Sequence, residues 1–248
     1  MNLILFESDE VQDHGTARLS GPRAAHIRTV LRAAVGDGIR IGIVDGPLGR
    51  GLVTSLGDRD VELACTFDEV PPPRPAADLI LAVPRPKVLR RLWAQLAALG
   101  VGRVMLTNAA RVERNYFDTH VLTAACYRPL LIEGLQQARD THVPRVSVHR
   151  QFRRLVEDEL GWCGGMRRVV ADPGSGRPLA DAVRRRDGER VLLAVGPEGG
   201  WNRFELALLE SRGFVPATLG PRALRSDTAC VAILAVAHDA LRSSLPPV

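Results

Sequence analysis

The sequence has almost no lysine: of the 33 basic residues in its 248 positions, only Lys87 is not an arginine. It also has no apolar run near the ~18 residues needed to cross a bilayer, which removes membrane-embedded functions. Residues 1–9 lack the basic n-region of a secretory signal. Cysteine is sparse. Cys65, Cys126, Cys163 and Cys230 form no C-x-x-C pair and have no histidine at zinc-ligand spacing, so no metal site is expected. Four unpaired thiols suit a reducing cytoplasm. Several motifs are missing altogether: G-x-x-x-x-G-K-[ST], G-x-G-x-x-G, H-E-x-x-H and G-x-S-x-G. Their absence argues against P-loop phosphoryl transfer, zinc hydrolysis and α/β-hydrolase chemistry.

Apolar residues at 46% and charged residues at 25% are ordinary for a globular protein, and the length suits one large or two small domains. The charge is uneven. Residues 1–72 hold 7 Arg against 11 Asp and Glu, whereas residues 73–248 hold 26 Lys and Arg against 17 Asp and Glu. The second part therefore suits an anionic partner, and arginine is the better bidentate phosphate ligand. Within the acidic first part, residues 14–32 contain no carboxylate but include Arg18, Arg23, His26, Arg28 and Arg32. Such a stretch reads either as a helix with solvated arginines or as a surface that follows RNA phosphates.

The clearest boundary is the proline cluster at 71–75, too proline-rich for a helix or a central strand. Before it, β-branched runs at 39–45, 51–56 and 60–67 predict strands of a small barrel or sandwich. One helix interrupts them, with Ser20 as its cap, Pro22 in its first turn and Ile27, Val30, Leu31 and Val35 as its apolar stripe. After the boundary, strands at 79–83, 103–107, 143–148, 167–171, 190–195 and 215–219 alternate with helices near 87–99, 119–138, 178–186, 202–212 and 228–241. That alternation predicts a parallel α/β sheet. The short charge runs at 157–159 and 184–186 read as solvated helix faces.

Two loops carry candidate chemistry. Residues 195–201 (VGPEGGW) follow an apolar strand and precede a helix whose Asn202 and Glu205 have capping-box spacing. Residues 219–229 (LGPRALRSDTA) also connect a strand to a helix and bring two arginines, an acid and hydroxyls. Each loop is either a tight β–α connection or part of a ligand site outside the carboxyl ends of parallel strands. The two would form one pocket if their strands are neighbours.

The segment VGPEGGWNRFELALLESRGFVPATLGPRALRSDTA (195–229) resembles the C-terminal signature of the bacterial 16S ribosomal RNA uracil-N3 methyltransferases, the RsmE type of the SPOUT or trefoil-knot superfamily. HIRTVLRAAVGDGIRIGIVDG (26–46) resembles their N-terminal PUA-like barrel. LAALGVGRVMLTNAARVER (96–114) and ARDTHVP (138–144) match the middle more loosely. The resemblance implies a PUA-like RNA-binding domain over 1–72 and a knotted α/β methyltransferase domain over 76–248. It implies S-adenosylmethionine as cofactor, a homodimer with the site at the subunit interface, and a uridine in the 16S rRNA of the small ribosomal subunit as target. By motif position, Val195, Gly196, Pro197, Glu198, Gly199, Leu219, Gly220, Leu224, Ser226, Thr228 and Ala229 would hold the cofactor. Arg225 would stabilise the uracil anion, with Asp227 or Glu198 orienting it or relaying the proton. The sequence departs from the family pattern at Ser226-Asp227, which stand for Thr-Glu, at Gln136, which stands for a glutamate, and at Asp140, which stands for a basic residue. Two other readings remain open here: a non-catalytic RNA-binding assembly factor, and a methyltransferase of the same superfamily acting on another RNA.

Overall fold

The computed structural model describes residues 3–12, 14–68, 70–184 and 190–242. The chain divides into two compact units, one made of residues 1–74 with 132–143 and the other of 75–131 with 144–248.

The first unit carries β1 (Ile4–Phe6), β2 (Thr16–Ser20), α1 (Gly21–Thr29), β3 (Gly38–Ile43), β4 (Leu48–Leu56) and β5 (Asp60–Phe67). The strands form one sheet in the order β1-β3-β4-β5-β2; β1 runs parallel to β3 and the other pairs are antiparallel. Alternation along β3 and β5 sends Ile39, Ile41, Val61 and Leu63 into a core with Phe6, Leu19 and Ile27. The expected apolar stripe of α1 does not form. The helix stops at Thr29, Arg32 takes a left-handed φ of 50°, and Val30 and Val35 are left 62% and 60% exposed. Only Ile27 of that stripe is buried. Ser20 sits at the N-cap position but makes no side-chain capping bond. The short strands β1 and β2 had too few alternating residues to be read from sequence.

The second unit holds a six-stranded sheet made of β6 (Ala77–Ala82), β7 (Val101–Thr107), β8 (Arg145–His149), β9 (Arg167–Ala171), β10 (Val191–Val195) and β11 (Val215–Ala217). Their order is β11-β9-β10-β6-β7-β8 and every pair is parallel, as the alternating pattern predicts. The central strands β6 and β10 are buried along their whole length, which requires cover on both faces and explains why they are apolar throughout except for Asp78 of β6. Helices α2 (Pro86–Ala98), α4 (Phe152–Asp158), α5 (Leu179–Val183), α6 (Arg203–Ser211) and α7 (Ser226–Arg242) belong to this unit, while α3 (Ala124–Ala138) passes between the two groupings. In α2, Leu89, Leu92, Trp93 and Leu96 recur at helical spacing and all are buried.

Several boundaries differ from the sequence reading. The helix expected from 119 starts at Ala124, because 114–122 are taken up by short 3₁₀ turns. The charge run 157–159 falls at the end of α4, a helix whose bounds the sequence pattern does not give. Of the charge run 184–186, the last two residues lie outside the described residues. No described helix is long and apolar enough to cross a membrane.

Candidate functional site

Three consecutive strands of the sheet, β11, β9 and β10, are parallel, so the loops leaving their carboxyl ends open at the same edge. Those loops, with the start of α7, enclose a cavity of about 320 Å3. The sequence reading required β10 and β11 to be neighbours. They are not. Strand β9 lies between them, and its own loop at 172–174 completes the wall.

Local bonds hold each loop in place. After β9, Asp172 Oδ1 accepts from Gly174 N at 3.0 Å and Asp172 N donates to Ala217 O at 2.9 Å. After β11, Thr218 Oγ1 accepts from Gly220 N at 3.0 Å, and Gly220 has φ of 114°, a conformation L side chains rarely adopt. After β10, the Asn202–Glu205 capping box forms as its spacing predicts: Asn202 Oδ1 accepts from Glu205 N, and Glu205 Oε2 accepts from Asn202 N, both at 2.8 Å. Glu205 is 4% exposed and also accepts from Ala110 N at 2.7 Å. Arg111, from the same segment after β7, donates to Gly199 O. A Cβ at Gly199 would lie 2.7 Å from Arg111 Cδ, so this side chain packs where only glycine leaves room. The sequence reading missed the bracing by Glu205 and Arg111, and missed 172–174, although Asp-Pro-Gly-Ser-Gly after a strand is a turn signal.

Glu205→Ala would leave two part-buried backbone N–H groups, those of Ala110 and Asn202, without their acceptor. We expect a loss of about 2 kcal/mol in urea unfolding. An unchanged urea midpoint would show that Glu205 braces nothing.

Ten of the eleven residues expected at the cofactor line the cavity: Val195, Gly196, Pro197, Glu198, Gly199, Leu219, Gly220, Leu224, Ser226 and Ala229. Thr228 does not. Helix α7 begins at Ser226, and its ~100° rotation per residue puts Ser226, Ala229 and Ile233 on the cavity face while Asp227 and Thr228 turn away. Asp227 Oδ2 instead accepts from Arg91 Nη2 at 3.1 Å, so it is paired with α2 and not with Arg225. Arg225 is exposed between two lining residues, and no side-chain partner is found for it among the described residues. Glu198 is an exposed carboxylate in the cavity wall.

Two residues of the cavity wall carry a buried polar atom unfulfilled by the described residues. Trp201 Nε1 and Ser226 Oγ are buried and have no partner among the described residues. Buried polar groups are normally satisfied, so these two are suited to a polar ligand. The indole of Trp201 lies against Gly196 and stacks on Phe152 at 5.1 Å. No cluster of three or more metal-ligating side chains is found among the described residues. Burial pushes the Cys230 thiol up to about 12, leaving it an inert core residue of α7.

The arginine-rich stretch of the first unit is largely engaged within the protein. Arg18 pairs with Asp60. Arg23 is half-buried, pairs with Glu10 and donates to Leu5 O at 2.9 Å. That pairing lowers the Glu10 pKa and raises that of Arg23. Arg28 donates to the carbonyls of Gly57 and Asp58. His26 Nε2 is buried and has no hydrogen-bond partner among the described residues, and Arg32 is exposed.

The sequence model of the RNA methyltransferase domain matches residues 71–238. The ribosomal RNA small subunit methyltransferase E of Treponema pallidum (strain Nichols) is 30% identical over 250 residues, covering 96% of this chain and 92% of its own. That of Mycobacterium bovis is 27% identical over 94% of this chain and 90% of its own. The crystal structure of a ribosomal RNA small subunit methyltransferase E from Neisseria gonorrhoeae bound to S-adenosyl methionine shares the fold, with a TM-score of 0.76 and 22% identity over 96% of this chain and 98% of that one. With the domain match spanning more than half its length and relatives aligned almost end to end, the chain belongs to the RNA methyltransferase family, among the ribosomal RNA small subunit methyltransferase E proteins.

Proposed function

We propose that the protein is an S-adenosylmethionine-dependent methyltransferase that modifies N3 of a uridine in the 16S rRNA of the small ribosomal subunit. The observation that carries this reading is the cavity shared by three βα loops, with glycine backbone on its walls and, in two wall residues, Trp201 and Ser226, buried polar atoms without a partner among the described residues. The bound cofactor of the Neisseria gonorrhoeae relative supports it. The lining residues named above would hold S-adenosylmethionine, chiefly through backbone of 195–199 and 218–220, with Trp201 Nε1 donating and Ser226 Oγ bonding to its polar groups. When bound, that cofactor supplies an electrophilic methyl on a sulfonium.

The chain's own residues would do the rest. Uracil N3 carries a proton that must leave before the N–C bond forms, and the negative charge spreads onto O2 and O4. Arg225, at the rim and without a side-chain partner among the described residues, would stabilise that charge. Glu198 would accept or relay the proton, and Asp227 serves Arg91 instead. Because N3 lies on the Watson–Crick edge, the uridine has to be unpaired to enter. We further propose that the second unit is a trefoil knot, that the first unit is PUA-like and helps hold the RNA, and that the enzyme works as a homodimer in the cytoplasm.

The test is nucleoside mass spectrometry of 16S rRNA from a strain lacking the gene, with calorimetry of the pure protein. We expect loss of one 3-methyluridine, restored by the gene, and S-adenosylmethionine binding in vitro. An unchanged nucleoside profile would overturn the proposed reaction. Failure to bind the cofactor as well would leave a non-catalytic RNA-binding assembly factor.

A further inference from the structure

The first unit contains a second concave feature, a groove of about 560 Å3 lined by Arg40, Arg50 and Arg139. We infer that this groove is the RNA-backbone site of the first unit, its three guanidiniums gripping consecutive phosphates. The inference rests on the reading of the chain as an RNA-modifying enzyme and goes beyond it by naming the surface.

Arg40 on β3 and Arg50 on β4 are direct cross-strand partners on the exposed face of the sheet. Like charges placed opposite each other in a sheet oppose folding. The local backbone favours the arrangement nonetheless: a Cβ at Gly38 would fall within 3 Å of the Arg50 guanidinium, so glycine there lets Arg50 lie flat across β3.

Arg139 arrives from far along the chain. The segment after α3 docks on the β3–β4 end of the sheet: Thr141 Oγ1 donates to Gly46 O at 2.6 Å, Asp45 N donates to Thr141 O at 2.8 Å, and Val143 N donates to Asp45 Oδ1 at 3.0 Å. A Cβ at Gly42 would lie 2.8 Å from the Thr141 methyl, which shows how closely the segment sits. Arg139 itself takes a left-handed φ of 63° just past the last residue of α3, where Asp140 N donates to Leu135 O at 3.1 Å and turns the chain toward the sheet. No hydrogen bond or ion pair to any of the three guanidiniums is found among the described residues. One acid, Asp68, shares the lining. Three arginines against one acid, two of them in a repelling register, form a site whose charge a polyanion would offset. Arg18, Arg23 and Arg28, by contrast, are already paired.

The experiment uses the full chain, a 16S rRNA transcript as probe, and the dependence of binding on NaCl. For the triple variant Arg40→Gln, Arg50→Gln, Arg139→Gln, we expect at least ten-fold weaker binding at low salt. The slope of log K against log salt should shrink by about 2 to 3, at roughly 0.7–0.9 per phosphate contact. The corresponding triple lysine variant should recover most of the slope. Calorimetric binding of S-adenosylmethionine should not change. Arg50→Gln alone should unfold no earlier than wild type, since it removes a repulsion; earlier unfolding would mean that the arginines serve the fold, and would overturn the proposal. So would an unchanged slope in the triple glutamine variant, or an equal fall in slope when the exposed Arg153, Arg154 and Arg212 are replaced by glutamine instead. Because the assay reads RNA binding and not methyl transfer, it gives its answer whether or not uridine N3 is the reacting atom.

Discussion

Replacing Arg225 by alanine is expected to slow methyl transfer to small ribosomal subunits by about 10²–10³-fold, with S-adenosylmethionine binding within about two-fold of wild type. The expectation comes from position. Leu224 and Ser226, on either side, line the cavity, so the Arg225 side chain leaves from its rim. Its carbonyl accepts from Ala229 N at 2.8 Å, which fixes the backbone at the first turn of α7. Its guanidinium is not engaged by Asp227, which pairs with Arg91, so the charge is free to meet one that develops on a base. An interaction of that kind is made chiefly in the transition state. The loss should therefore fall on the single-turnover rate and leave cofactor affinity largely untouched. Arg225→Lys keeps the charge as a point and loses the planar fork, so partial activity is expected. Turnover of the alanine variant within a few-fold of wild type would remove Arg225 from the chemistry.

The largest stability effect should come from Asp78. This carboxylate has no exposure, yet it lies in the fully buried strand β6, where it accepts from Arg190 Nη2 at 2.8 Å to each oxygen. Gly102 on β7 makes room for the pair: a Cβ there would lie 2.8 Å from Asp78 Oδ1 and 2.9 Å from Arg190 Nη2. Burial raises the Asp78 pKa above the ordinary aspartate value, with the Arg190 charge opposing it. The folded chain thus holds a proton at Asp78 more tightly than the unfolded chain does, so acidification through that raised value favours folding at this position and does not threaten it. Removing one partner strands the other, and Asp78→Ala should cost about 3 kcal/mol, the Arg190 side chain being 35% exposed and able to recover some hydration. That is a large share of an ordinary folding margin of about 5–15 kcal/mol. The double replacement Asp78→Leu with Arg190→Met should regain much of it. A single alanine variant whose urea midpoint matches wild type would show that the pair is dispensable.

Much of the architecture was legible from local pattern. Apart from Asp78, strands β6 and β10 are apolar runs because both faces are covered, and α6 is announced by Asn202, Glu205 and Gly213, whose capping roles depend only on neighbours three or four residues away. The stripe assigned to α1 failed for the same local reason. Val30, Leu31 and Val35 have helical spacing, but the chain leaves the helix at Thr29, and periodicity says nothing about where a helix ends without a strong stop. The site shows the same division. Glycines and hydroxyls in 195–201 and 219–229 marked two ligand loops, whereas the contribution of 172–174 depended on a strand order that no local signal encodes.

The chain's own letters determined the alternation of strands and helices, the two glycine-bearing loops and the surplus of arginine, because each of these follows from propensity, period or charge within a short window. Tertiary structure alone decided that β9 stands between β10 and β11, that Asp227 turns to Arg91 and not to Arg225, and that Arg139 joins Arg40 and Arg50 some ninety residues away in sequence. Those outcomes rest on strand order and long-range docking, where the free energy lies in contacts between distant segments and no single segment carries the information.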